Sequence, residues 1–142
     1  ASASTVSSQT LDSYEEGTWT PSLSSGGSSI TVDASNCVYT KIGRLVTCSI
    51  EILNIVSPNS GTFQVSGLPY TTGSFMEGAQ PMMYHSVQIP SGRSQLNIYT
   101  PSNQTYFRVY ASGNNIAWVA LNGNNFGTTC YMIATFSYQA NS

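Results

Sequence analysis

Between residues 44 and 54, Val46, Cys48, Ile50 and Ile52 alternate with Leu45, Thr47, Ser49 and Glu51, the period-two pattern of a strand with one face buried. The same alternation sets Phe107, Val109 and Ala111 against Tyr106, Arg108 and Tyr110. Phe107 and Val109 then belong to the core, and the other three share a face that is either a subunit interface or a ligand platform. Further strands are predicted over residues 19–23, 29–32, 61–65, 82–89, 95–100, 116–121 and 128–138. Apolar residues seldom recur three and four apart, and Gly, Pro, Asn or Ser interrupts nearly every stretch of a dozen residues, so no helix is expected. Turn chemistry at Pro90-Ser91-Gly92, Pro101-Ser102-Asn103, Gly113-Asn114-Asn115 and Asn122-Gly123-Asn124-Asn125 separates the strands. About ten short strands at this spacing predict an all-β chain, an antiparallel β-sandwich of jelly-roll-like form. Residues 11–142 are expected to form one domain. Residues 1–10, small or polar except Val6, are expected to be a linker from a larger protein.

Residues 36–41 carry Cys37 and Tyr39 on one face, and Ile42-Gly43 supplies a turn before Arg44. A two-residue loop there would set Lys41 opposite Arg44, Tyr39 opposite Val46 and Cys37 opposite Cys48. The expectation is still for reduced thiols, because directly opposed strand residues stand somewhat too far apart for an unstrained bridge. A one-residue bulge would break this register.

Composition narrows the function. Charged residues make up 7% of the 142, against about 25% in soluble domains, so solubility rests on Ser, Thr, Asn, Gln and Gly. Such a surface loses its water cheaply and suits subunit packing or contact with neutral, hydroxyl-rich ligands such as sugars. Four cations, Lys41, Arg44, Arg93 and Arg108, at a net charge of −2, form no basic stripe for phosphates, which argues against nucleic acid as a partner. The longest clear apolar run, residues 116–121, is far below the roughly 20 residues of a bilayer span, so no membrane insertion is expected. Residues 1–10 lack the basic start and apolar centre of a secretory signal.

No cofactor or metal is expected: Cys37, Cys48 and Cys130 have no metal-ligand spacing, and the one histidine, His85, cannot complete a usual zinc site. Catalytic residues are not assigned either. His85 has no Gly-x-Ser-x-Gly elbow to serve, Glu15 and Glu16 are adjacent and would point to opposite faces, and Asp33, Glu51 and Glu77 fall on different predicted segments. Aromatics crowd the second half instead. Their faces stack on the C–H faces of pyranose rings while Asn amides satisfy hydroxyls, so Tyr106, Arg108, Tyr110 and Trp118, with Asn114 and Asn124 on nearby turns, are the candidate glycan-binding residues.

Three phrases carry a resemblance: Leu11-Asp12-Ser13-Tyr14-Glu15-Glu16-Gly17-Thr18-Trp19-Thr20-Pro21, Tyr39-Thr40-Lys41-Ile42-Gly43-Arg44-Leu45-Val46 and Ser66-Gly67-Leu68-Pro69-Tyr70. In order, spacing and wording they resemble a module found near the C-terminal end of bacteriophage tail fibre and tailspike proteins. The resemblance covers residues 11–70 and stops at Thr71. It implies a homotrimeric β-sandwich on the virion tail, folded in the host bacterial cytoplasm and attached to the rest of the fibre or spike. Its implied partner is host surface polysaccharide or lipopolysaccharide, with catalysis, where present, usually housed in another domain. The alternatives are a capsule polysaccharide depolymerase, hydrolase or lyase, using Asp33, Glu51, Glu77 or His85, and a purely structural trimerisation cap.

Overall fold

The computed structural model describes residues 13–56, 59–74 and 77–141; the expected linker at residues 1–10 lies outside them. Twelve strands follow one another: β1 (Tyr14–Thr18), β2 (Ser22–Ser25), β3 (Ser28–Ile30), β4 (Asp33–Ile42), β5 (Leu45–Ile55), β6 (Phe63–Ser66), β7 (Gly78–Pro81), β8 (Met83–Val87), β9 (Gln95–Thr100), β10 (Tyr106–Gly113), β11 (Ile116–Ala120) and β12 (Phe126–Gln139). A single 3-10 turn, Gly123–Asn125, joins the last two. The strands form two antiparallel sheets, ordered β1-β4-β5-β12-β8 and β3-β2-β6-β10-β9-β7, with β11 running along β10. The all-β sandwich read from the sequence is therefore the observed fold. No helix among the described residues is long and apolar enough to cross a membrane.

Alternation builds the core. Inward side chains of the first sheet, Val46, Cys48, Ile50, Ile52, Met132 and Phe136, meet those of the second, Leu23, Phe63, Val65, Ile98, Phe107 and Val109, all at most 2% exposed. Phe107 of β10 meets Phe136 of β12 edge to face, with ring centroids 5.1 Å apart, a favoured aromatic geometry that ties one sheet to the other. Chain halves are interleaved: β12 pairs with β5 in the first sheet and β10 with β6 in the second.

The β4–β5 hairpin corrects the expected register. Ile42 faces Leu45, Lys41 faces Val46 and Tyr39 faces Cys48, so the two-residue loop is Gly43-Arg44, one position later than the sequence suggested. Gly43 occupies the first loop position at φ 59°, where a primed hairpin turn requires a left-handed residue. A bulge between Ser35 and Val38, with Asn36 at φ 57°, further removes Cys37 from any position opposite Cys48. All three thiols are buried and unbridged. Burial first, and then the neighbouring Cys37, pushes the Cys48 thiol up to about 12, so it stays protonated at neutral pH.

β1 is an edge strand of the first sheet, and Glu15 and Glu16 do diverge. Glu16 accepts the Tyr14 hydroxyl at 2.6 Å. Glu15 accepts the hydroxyls of Tyr39, at 2.5 Å, and of Tyr70, while Lys41 Nζ lies 5.0 Å from the Tyr70 ring centre. Those hydroxyls, Tyr39 first, hold the Glu15 carboxyl below its ordinary range. A carboxylate with a lowered folded-state pKa stabilises the fold above its unfolded value, about 4.3 for Glu, and loses that contribution as pH falls through the folded value. Wild type is therefore expected to melt above Glu15→Gln at pH 7, with the gap closing below about pH 4. Thermal melts of both proteins across that range check it, and a gap that widened in acid would refute it.

Candidate functional site

The outward face of the second sheet carries the site. β9 alternates buried Leu96 and Ile98 with Asn97 and Tyr99, and β10 alternates buried Phe107, Val109 and Ala111 with Tyr106, Arg108, Tyr110 and Ser112. Register places Tyr110 opposite Asn97, and Arg108 opposite Tyr99. On the far side of β9, Ala79 of β7 faces Tyr99. On the far side of β10, Tyr110 pairs with Ala120 of β11, and Trp118, two residues before it, stands on the same face.

These side chains enclose a groove of about 280 Å³ lined by Glu77, Gly78, Ala79, Asn97, Ile98, Tyr99, Tyr110, Ser112 and Trp118. Tyr99 and Tyr110 meet edge to face, with centroids 5.0 Å apart, and Trp118 is 75% exposed. The Glu77 carboxylate beside the Tyr99 hydroxyl, with burial next, pushes Tyr99 up to about 12. Tyr99 is thus a neutral hydrogen-bonding group at physiological pH.

Of the six residues singled out from sequence, Tyr110 and Trp118 line the groove. Tyr106 and Arg108 lie beside it on the same face: the Arg108 guanidinium carbon is 5.2 Å from the Tyr106 ring centre, and Nη2 donates to Gln64 Oε1 at 3.3 Å. Asn114 and Asn124 do not join them. Asn114 is on the turn before β11 and Asn124 on the 3-10 turn after it, so five strand residues, about 17 Å, separate the two ends. Asn122 caps that 3-10 turn by accepting the Asn124 backbone N–H at 3.0 Å, and the Asn125 side chain accepts the Asn122 N–H at 2.9 Å; these amides hold the chain itself. Sequence reasoning missed Asn97 and Tyr99 as a pair, although their alternation with Leu96 and Ile98 is a readable signal. Glu77, weighed from sequence only as a catalytic candidate, comes from a connecting segment whose pattern gave no sign that it joins these aromatics.

The residues weighed for catalysis are spread over two surfaces. Glu77 lines the groove. Asp33, Glu51 and His85 lie on the outward face of the first sheet, where Asp33 pairs with Leu53, Glu51 with Ser35 and His85 with Tyr131. Asp33 and Glu51 are diagonal neighbours, which puts them about 7–8 Å apart; neither lines the groove, and Asp33 accepts Asn54 Nδ2 at 3.1 Å. His85 is three strand spacings, about 14 Å, from Asp33, stacked on Tyr131 at 5.4 Å with Nδ1 2.9 Å from Ser86 Oγ. Among the described residues no group of three His, Cys, Asp or Glu side chains could hold a metal ion.

No protein-family model matches the chain. Over 99 residues, 68% of its length, it is 30% identical to a capsule KN4-specific depolymerase of Klebsiella phage K64-1, and it spans 13% of that protein.

Proposed function

We propose that this chain is a receptor-binding module of a phage tail fibre or tailspike, that it assembles as a homotrimer, and that it reads host surface polysaccharide through the groove on its second sheet. The observation that carries this reading is Trp118, 75% exposed beside the Tyr99–Tyr110 pair. Large aromatics left in water along a groove are suited to stacking on sugar rings, and Asn97 and Ser112, joined by Asn97 Nδ2 donating to Ser112 Oγ at 3.5 Å, keep further bonding capacity for hydroxyls. The similarity to a phage depolymerase supports the setting.

Self-association draws support from the opposite surface. The outward face of the first sheet exposes Tyr14, Val38, Ile42, Leu45, Met83 and Ile133. Between them run hydroxyl pairs, Thr47 with Ser137 at 2.9 Å and Ser49 with Thr135 at 3.1 Å, which lose little on leaving water. This mix of exposed apolar side chains and neutral hydroxyl pairs suits packing against further copies of the chain around the carboxylates of Asp33 and Glu51 on the same face, and leaves the groove open to ligand.

The relative's name favours a second reading, a capsule polysaccharide depolymerase. In that reading this chain supplies recognition to a larger enzyme, because its groove holds one carboxylate among the described residues, Glu77, where glycoside hydrolysis uses two.

Light scattering of the purified chain, with a pull-down on host cells, tests the proposal. A mass near three times 15.2 kDa, reduced toward one chain by Ile42→Glu with Met83→Glu, is expected together with saturable cell binding. A monomer at high concentration that does not bind cells would refute it.

A further inference from the structure

Glu77 is the only carboxylate among the described residues lining the groove, and it stands beside Tyr99. Resting on the glycan-binding reading above, we infer that the groove selects sugar units that carry no carboxylate, and that Glu77 is the residue that makes the selection.

The argument begins with size. About 280 Å³ is just below the roughly 300–1,000 Å³ of ligand pockets, so one or two sugar units fill it and displace the water on the groove side of the otherwise exposed Glu77. A carboxylate losing that water must gain hydrogen-bond donors from whatever replaces it. Neutral sugars bring them as hydroxyls and acetamido N–H groups, and these can reach Glu77 beside the Tyr99 hydroxyl. A uronate or sialate unit brings a second negative charge into the same aromatic-walled space, and like charges held together there are costly.

Nearby cations do not reverse this sign, because both are committed elsewhere. Arg108, opposite Tyr99 in register, directs Nη2 to Gln64 and lies against Tyr106, on the side of the sheet away from β7. Arg93 donates Nη1 to Ser91 O at 2.8 Å and Nη2 to Ala117 O at 2.9 Å, clamping β11 from its own loop. Neither lines the groove.

An array of bacterial-type oligosaccharides tests the inference, each uronate-containing member printed beside its carboxyl-reduced counterpart and probed with wild type, Glu77→Gln and Trp118→Ala. The expected result is Trp118-dependent binding in which the reduced member of each pair binds roughly 10-fold more tightly, a preference that narrows to about 2-fold or less in Glu77→Gln as the like charge is removed. Trp118-dependent binding with the acidic member equal or tighter overturns charge selection and leaves the glycan-binding reading in place. Absence of Trp118-dependent binding on every member overturns both.

Discussion

Phe107→Ala is expected to lower the unfolding free energy by about 3–5 kcal/mol, the range for truncating a fully buried Phe to Ala. Phe107 is 0% exposed, and its ring is the β10 half of the edge-to-face contact with Phe136 of β12. Its loss leaves a cavity between the sheets that a rigid ladder on each side cannot collapse to fill. In a domain of this size that corresponds to a fall in melting temperature on the order of 10 °C. Denaturant unfolding with an unchanged m-value measures it. Tyr110→Ala supplies the control, since Tyr110 is three residues further along the same strand but on the outward face, and should cost about 1 kcal/mol or less. Equal losses for the two variants would mean that β10 does not divide the sandwich interior from the groove as described.

That contrast was legible in the sequence, because two-residue periodicity reports which face of a strand is wet without reference to its neighbours. β9 was placed at residues 95–100, where it is found, and the inward and outward sets of β5 and β10 were assigned as they stand. Pairing was less legible. The turn glycine at position 43 fixes a hairpin but fits either of two loop placements, and the observed one moves Cys48 from Cys37 to Tyr39. Periodicity also cannot tell a central strand from an edge strand. The longest apolar run, residues 116–121, predicts a strand but not its place in the sheet; in β11 Ile116 is 40%, Trp118 75% and Val119 36% exposed, because β10 is its only partner among the described residues. Half of the groove was therefore within reach of sequence reasoning, through Tyr110 and Trp118. The rest depends on β9 lying next to β10 and on residue 77 being delivered to the open end of β7, both set by contacts distant along the chain.

Trp118→Ala should abolish most glycan binding while leaving the fold intact, and the exposure of this residue is what separates the two effects. A side chain 75% exposed contributes little to stability, so truncation should fall within about 0.5 kcal/mol of wild type. Its strand stays anchored through pairing with β10 and through the Arg93 bond to Ala117 O. A sugar stacked on the indole, by contrast, buries much of that surface only in the complex, and a large apolar group is worth about 1.5–3 kcal/mol when fully covered. The affinity loss is then roughly 10- to 150-fold at 1.4 kcal/mol per decade. Trp118→Phe should recover part of it, whereas Tyr106→Ala, outside the groove lining, should cost less than Trp118→Ala. Titration calorimetry against a bound oligosaccharide, beside thermal melts of each variant, reads both quantities. If Trp118→Ala instead kept its affinity but shifted the protein from trimer to monomer, the exposed indole would be a subunit contact and the sugar would have to bind elsewhere.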